Sequence, residues 1–504
     1  MSIVVLALYG LALLLIFFYS VLQLTLAISY WRKKESRDKL RRPDLDLSNA
    51  PFVTVQLPVY NELYVVERLI DTVAKFDYPR DRFEIQVLDD STDETVDVIA
   101  KKVAEVQALG IDIHHIHRVD RTGYKAGALA DAMDKVKGEF IAIFDADFLP
   151  NPNFLLETIP FFDDPKVGVV QTRWSHINKK YSLLTELQAF GLNAHFSIEQ
   201  SGRNGAGHFI NFNGTGGVWR KETIEDAGGW HHDTLTEDLD LSYRAQMKGW
   251  NFRFLENVTA PAELPVAMSA LKNQQFRWTK GGAECFRKMS GTLLTAKGLK
   301  LSDRIHGLAH LFNSSVFVFI FFTAILSLPV LVIKTTTDKY DNIMMIGSFF
   351  ILSTCFLMVY YWMSYRDKTE NKVSSFAKFF IRFIQFLTVS MGLSLHNTIA
   401  VMEGYFGIKS SFVRTPKFNI SSGKQDWKTN KYVEKKINLV TILEGFLSFV
   451  FLSAVVYGIV VGDYGLVPFH LMLCIGFGLV FFYSIGQMDW LNKRSPNVEL
   501  IEEL

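Results

Sequence analysis

No charged residue occurs from Ser2 to Tyr30. An apolar run of that length crosses a hydrocarbon layer about 30 Å thick, so one spanning helix is expected over residues 1–30. A cleaved leader would begin with basic residues and end at a small-residue cleavage site. This run has neither, and a retained anchor is expected. The stretch WRKKESRDKLRR, Trp31 to Arg42, follows at once. Basic clusters mark the cytosolic side of a membrane. Residues 31–50 therefore read as a cytosolic linker, with the N-terminus on the opposite side.

From 51 to 300 the period of the pattern changes. Short apolar runs, FVTVQLPVY, FEIQVLDDS, IDIHHIHR, FIAIFDADF and VGVVQTRW, read as strands. Between them VVERLIDTVAKF and KAGALADAMDKV repeat at helical spacing. Strands alternating with helices predict an α/β domain around a largely parallel sheet. Ligands of such sheets bind at the carboxyl ends of the strands.

Four further apolar segments, about 308–333, 343–365, 439–462 and 466–486, can each span. Between the second and third, SSFAKFFIRFIQFLTV sets Lys378, Arg382 and Gln385 at i, i+4 and i+7. One polar stripe on an aromatic helix predicts a helix lying in the membrane interface over 375–407. The basic loop KSSFVRTPKFNISSGKQDWKTNKYVEKK is expected on the cytosolic side, so 375–407 should return to the side it left. Five spans and an outside N-terminus place the C-terminus inside.

Composition agrees with this division. The chain has 504 residues, more than one ordinary domain needs. Hydrophobic residues make up 49%, rich for a soluble protein, yet 21% charge is high for a bare membrane bundle. A net charge of +1 gives no electrostatic footprint for nucleic acid. The cysteines, Cys285, Cys355 and Cys474, form no CxxC, so neither a disulfide framework nor a zinc site is expected from them.

The chemistry concentrates at predicted strand ends. FDADF ends a strand with Asp145 and Asp147, two apart and so on one face. Such carboxylates repel unless a cation joins them to a ligand. Mg²⁺ or Mn²⁺ bridging to a diphosphate fits that need. QVLDDSTD ends another strand with Asp89 and Asp90, and PVYNE, Pro58 to Glu62 through Tyr60, ends the first. GYKAGAL brings Lys125 to a turn that opens a helix, a setting for phosphate. Each alone is as readily a turn or a helix cap; the group at successive strand ends is not. LTEDLDLSYRA adds Thr236-Glu237-Asp238. That triplet reads as acids in a first helical turn, or as a general base, Asp238, for an acceptor hydroxyl. One base and direct displacement imply inversion. In NQQFRWTK, Gln274, Arg277 and Trp278 share a helix face. Arginine offers a planar fork for phosphate, and tryptophan a flat plate for the C–H face of a sugar. Beside the membrane the same helix could simply anchor its Trp at headgroup level.

Taken in order, Asp90, Asp145/Asp147, Thr236-Glu237-Asp238 and Gln274-x-x-Arg277-Trp278 resemble the D, DxD, TED and QxxRW set of processive family 2 glycosyltransferases of the cellulose synthase superfamily. The resemblance covers about 51–288. IQVLDDSTD, TGYKAGAL, IFDADF, FNGTGGVWR and AGGW are similar to the cellulose-synthase-like mannan and glucan synthases. It implies a Rossmann-like GT-A catalytic domain on the cytosolic face, over 51–300. It implies a helical membrane domain with about five spans and interfacial helices, 301–504 together with the N-terminal helix. Pro58, Tyr60, Glu62, Asp90, Lys125, Asp145, Asp147, Gln274 and Arg277 would bind the nucleotide-sugar donor, with Asp145 and Asp147 holding Mg²⁺ or Mn²⁺. Asp238 would be the base, and Asn213, Gly214, Thr215, Glu237 and Trp278 would meet the acceptor. The helices would form a channel for the growing chain.

The chain ends soon after its last span in acidic residues 499–504, so control through a cyclic-di-GMP module is not expected. Five spans are few for a wide channel. Glu444, an acid in an apolar span, either lines a sugar path or sits at the interface. FVRTPKF, 412–418, either gates the site or touches the membrane surface. Alternating histidines in HHIH, at 114, 115 and 117, read as an exposed face without metal. The leading expectation is a membrane polysaccharide synthase using GDP-mannose or UDP-glucose to extend a β-1,4-mannan, glucomannan or glucan. A glycolipid synthase needs the same donor site but no channel. A non-enzymatic scaffold has no use for the base. The bilayer is an expected partner, nucleic acid is not, and the sequence is silent on oligomeric state.

Overall fold

The computed structural model describes residues 2–33, 42–340, 347–366, 372–420, 427, 430–432 and 437–486. Most of the basic run 31–42, parts of the loop 409–436, residues 343–346 of one expected span, and the acidic end 499–504 lie outside the described residues.

Each of the apolar runs read as strands forms one: β1 (Val53–Val59), β2 (Phe83–Asp89), β3 (Ile113–His117), β4 (Phe140–Ile143) and β5 (Val167–His176). Two strands not read from the sequence join them, β6 (Gly217–Arg220) and β7 (Asn251–Ala262). The order across the sheet is β3-β2-β1-β4-β6-β5-β7. β1 pairs in parallel with β2 and β4, β2 with β3, and β5 with β7. β6 alone runs against its neighbours.

Burial explains the strand sequences. β2 is buried at every position and β1 at all but one, so both read as near-continuous apolar runs. On one face of the sheet Val55, Leu57 and Ile85 pack with Leu69 and Ile70 of the helix Val66–Val73 and with Ile99 and Val103 of Thr95–Ala108. On the other, Leu88, Ile141 and Ile143 pack with Leu129 of Tyr124–Ala132 and Leu241 of Glu237–Met247. Helices on both faces make three layers. The parallel strands aim their carboxyl ends at one edge. Because β6 runs the other way, its first residue, Gly217, lies opposite Ile143 at the end of β4. The turn FNGTGG thus arrives at the same edge as Asp145.

Among the described residues, four helices are long and apolar enough to cross a membrane: Ser2–Arg32, Asn313–Thr336, Leu439–Val460 and Val467–Ile485. A fifth is counted if the bent pair Ser374–Gly392 and Ser394–Phe406 is one span. The segment starting at 308 is divided: Leu301–Leu311 is a separate helix, followed by a 3-10 turn, Asn313–Ser315. Polar Asn313, Ser314 and Ser315 interrupt the apolar pattern there. The segment 375–407 is two helices meeting at 52°. Its break falls where Gly392 meets the backbone of Gly476 on Val467–Ile485; a Cβ on Gly392 would lie 2.3 Å from the Gly476 carbonyl oxygen. Ser348–Arg366 packs on the N-terminal helix, with the Phe17 and Phe356 rings 5.9 Å apart.

Candidate active site

An open cleft lies at the carboxyl edge of the sheet. Every donor and acceptor position read from the sequence lines it except Thr215. Pro58, Tyr60 and Glu62 come from the end of β1, Asp90 from β2, and Asp145 and Asp147 from β4. Lys125 opens the helix Tyr124–Ala132, and Glu237 and Asp238 open Glu237–Met247. Gln274, Arg277 and Trp278 face in from the helix Met268–Thr295.

That last helix reaches the cleft because it carries no side chain at its closest approach. A Cβ on Gly281 would lie 2.5 Å from Thr236 Cγ2 and 2.9 Å from the Thr236 backbone nitrogen. One turn on, the Glu284 carboxylate accepts the Leu235 N–H at 2.7 Å. The helix bearing Arg277 and Trp278 thereby fixes the turn that presents Asp238.

Asp145 and Asp147 share a strand end but hold different cations. Lys125 Nζ lies 2.5 Å from Asp145 Oδ1 and donates to the Gly214 carbonyl at 2.9 Å. Lys417 Nζ lies 2.6 Å from Asp147 Oδ2 and donates to the Glu263 carbonyl at 2.7 Å. Burial works against the Lys125 charge, but Asp145, Glu237 and Asp238 outweigh it and hold its pKa up. Thr215 sits behind the cleft wall, fully buried, and its hydroxyl accepts the Asp145 N–H at 2.9 Å. It positions Asp145 and does not face the cleft.

At the base end, burial and then the neighbouring Glu237 charge push Asp238 up to about 7. Burial raises Glu237 as well. The Leu239 N–H donates to Asp238 Oδ1 at 2.8 Å, holding one oxygen toward the helix. Gly214, at φ +75°, comes so close that a Cβ there would lie 3.1 Å from Asp238 Oδ2. A second cavity adjoins the first, sharing Trp174, Asn213, Asp238 and Trp278, and reaches Phe317 on the apolar helix Val316–Thr336. The Trp174 and Trp278 rings stand 6.4 Å apart at its mouth.

At the opposite end Arg118 clasps Asp90 with two bonds of 2.8 Å. The Arg121 guanidinium lies 3.2 Å from the centre of the Tyr60 ring. This makes a cationic and aromatic floor for a flat base or ribose.

Several cleft-lining side chains come from the loop 408–420, whose stretch FVRTPKF the sequence offered as either a gate over the site or a membrane-surface contact. Phe412, Arg414, Thr415 and Lys417 all line the cleft. Arg277 donates to Thr415 Oγ1 at 2.9 Å and lies 4.7 Å from the Phe412 ring centre. Arg414 pairs with Glu62 at 3.3 Å. Burial, with the Asp147 and Asp145 charges behind it, still pushes Glu62 up to about 8 against Arg414. Buried Glu263 accepts the N–H groups of Phe418 at 2.9 Å and Ile420 at 3.1 Å, anchoring the loop. Glu444 lines neither cavity; it is buried and pairs with Lys272 at 2.5 Å.

The family described as glycosyltransferase like family 2 matches residues 50–281. Glucomannan 4-beta-mannosyltransferase 2 of Arabidopsis thaliana is 34% identical over 372 residues, 69% of this chain and 69% of that protein. Glucomannan 4-beta-mannosyltransferase 9 of the same plant is 37% identical over 339 residues, 64% of each chain. Probable glucomannan 4-beta-mannosyltransferase 4 of Oryza sativa subsp. japonica is 40% identical over 292 residues, 56% of this chain and 53% of its own. This chain thus spans about half to two thirds of the length of the curated relatives it matches. Among solved structures, the mannosyltransferase PcManGT from Pyrobaculum calidifontis, in complex with GDP-Man and Mn²⁺, is similar with a TM-score of 0.50. At 20% identity, over 72% of this chain and all of that one, the likeness is one of fold.

Proposed function

This chain belongs to glycosyltransferase family 2, in its cellulose-synthase-like branch, and from that premise we propose an inverting hexosyltransferase that extends a β-linked glycan from a nucleotide sugar. It is a glycosyltransferase enzyme of GT-A fold. The observation that carries the finer reading is the single cleft. It runs from the Asp90–Arg118 end, past Lys125 and Arg277, to Asp238 and Trp278.

In this reading Asp90, Arg118, Arg121 and Tyr60 receive the nucleotide. Lys125, Arg277 and Lys417 face the diphosphate, where charge-assisted bonds are strongest. Asp145 and Asp147 supply oxygen ligands only, which suits a hard dication that completes its shell with phosphate and water. Such an ion, when bound, neutralises charge on the departing diphosphate. Trp278 and Trp174 hold the acceptor sugar by its apolar face. Asp238, pushed to about 7 by burial and Glu237, takes the acceptor hydroxyl's proton at neutral pH. One displacement, with one base, turns an α-linked donor into a β-linked product. The relatives' names favour mannose as the transferred sugar and glucomannan as the product class. The second cavity, opening from Asp238 toward the apolar helices, supports export of the chain through the membrane from a cytosolic catalytic domain.

The test is product analysis from the purified protein in lipid vesicles. Labelled GDP-mannose and UDP-glucose are supplied separately with Mn²⁺ or Mg²⁺. Label in a long polymer cut only by an endo-β-mannanase is the expected result. Label confined to an organic-extractable lipid would replace this reading with glycolipid synthesis.

A further inference from the structure

The histidines of HHIH do not form one exposed face. His114 turns toward Glu84 and Asp112. His115 and His117, two apart on β3, share the other face. Both converge on Asp89, the last residue of β2, which pairs in register with His117. Asp89 Oδ2 lies 2.8 Å from His115 Nε2 and 3.2 Å from His117 Nδ1.

Among the described residues, two other groups bring three such ligand atoms together. Each offers one imidazole where this group offers two, and its carboxylates pair with lysine or arginine. Lys137 sits on Glu84 and Asp112 at 3.2 and 2.8 Å. Lys288 and Arg244 sit on Asp240 at 2.7 and 2.6 Å. Asp89 differs. Its side chain is 0% exposed, yet it forms no ion pair with a lysine or arginine among the described residues. Its other oxygen accepts the Ser91 N–H at 2.8 Å. A buried carboxylate faced by imidazoles and by the Ser91 amide and side chain has no full cation beside it among the described residues, and a metal ion would supply that counter-charge. His115 and His117 are 17% and 35% exposed, which leaves an entry path and room for water as a further ligand.

We infer that Asp89, His115 and His117 bind a transition-metal dication of the zinc(II) class. Two imidazole nitrogens and one carboxylate oxygen, with a position left open, are a ligand set for zinc. The Asp145–Asp147 pair offers oxygen alone and suits Mg²⁺ or Mn²⁺. The chain would thus sort two metals by ligand type. The new site would pin β3 to β2 beside Asp90, which lines the cleft.

The test uses the full-length protein in lipid nanodiscs, purified without a polyhistidine tag, stripped by chelator and titrated with Co²⁺ and then Zn²⁺. One tightly held Co²⁺ per chain, displaced by Zn²⁺ and accompanied by a rise in Tm, is expected. The Asp145→Asn/Asp147→Asn variant should retain it. His115→Gln/His117→Gln should keep wild-type circular dichroism and lose at least ~100-fold in affinity, beyond the cost of an outer-shell partner. Equal uptake by that variant, or no stoichiometric uptake by the wild type, overturns the site. X-ray absorption on the zinc-loaded wild type reads it independently of any variant. Imidazole scattering is expected, and a shell of oxygen alone overturns it.

Discussion

Asp238 is a carboxyl held near neutrality by burial first and by Glu237 second. A base must be ionised, so kcat/KM should climb as pH rises through about 7. The limb belongs to the Glu237–Asp238 pair and not to one residue. Stability runs the opposite way. The folded protein keeps a proton that the unfolded chain releases near 3.8, so stability falls as pH rises between 3.8 and about 7. Glu237→Gln removes the like charge and should move the limb to lower pH; an unmoved limb assigns it to another group. Asp238→Asn should bind donor normally by calorimetry and lose transfer by about 10²–10⁴-fold. Lys417→Met tests the other end of the cleft. Losing a charged bond to phosphate costs about 2 kcal/mol, so donor kcat/KM should drop about 30-fold. An unchanged value would mean that Lys417 serves only Asp147. These two residues also mark what the sequence discloses. Asp238, Asp145 and Arg277 stand in short motifs whose spacing already implies a shared face. Lys417 meets Asp147 across 270 positions, and no local pattern carries such a contact. Thr215 belongs to a legible motif, but its position beneath Asp145 depends on how β6 enters the sheet.

At the scale of elements, the helix Met268–Thr295 sets the spacing between Arg277 and Asp238 through Gly281. Gly281→Ala places a methyl into the Thr236 side chain and backbone. Overpacking of this kind costs about 1–3 kcal/mol, or a shift of the helix. A lowered Tm and a lowered kcat with little change in donor affinity are expected, read by thermal unfolding and steady-state kinetics. Wild-type kcat would show that the Thr236–Asp238 turn follows the helix without loss. Glycine in the middle of a helix weakens it by about 1 kcal/mol relative to alanine, so its presence here was a sequence-level sign of close packing. The strands show the same division between legible and hidden. β1 to β5 declared themselves as apolar runs. β6 has four residues, too few for a period to register. β7 does alternate, with Phe252 and Phe254 buried and Asn251 and Arg253 exposed, and that alternation was a usable signal. The 52° bend after Gly392 was not read from the pattern, because it coincides with a close approach of Gly392 to the Gly476 backbone, a contact across more than eighty positions.

At the scale of the whole molecule, the helix Met268–Thr295 is joined to the apolar helices by two buried-lysine pairs, Lys280 with Glu403 at 2.9 Å and a deeper one. Lys272, on the same helix as Arg277 and Trp278, lies 2.5 Å from Glu444 on Leu439–Val460. Both side chains are buried, at 5% and 0% exposure. Removing one charge of a buried pair typically costs about 3–5 kcal/mol, whereas replacing both by apolar groups of similar size is often neutral. Glu444→Ala should therefore lower Tm sharply, and Lys272→Met/Glu444→Leu should restore most of it. The double variant then separates two roles for the pair. If its purpose is to clamp the Arg277–Trp278 helix onto the apolar helices, an apolar clamp serves as well, and transfer returns with stability. If the charges themselves act on the passing glycan, the double variant is stable and slow. Glu444 lines neither cavity, so the first outcome is expected. The acid that the sequence left between a sugar path and an interface position is then a fastener, holding the acceptor side of the cleft against the helices the glycan would leave by.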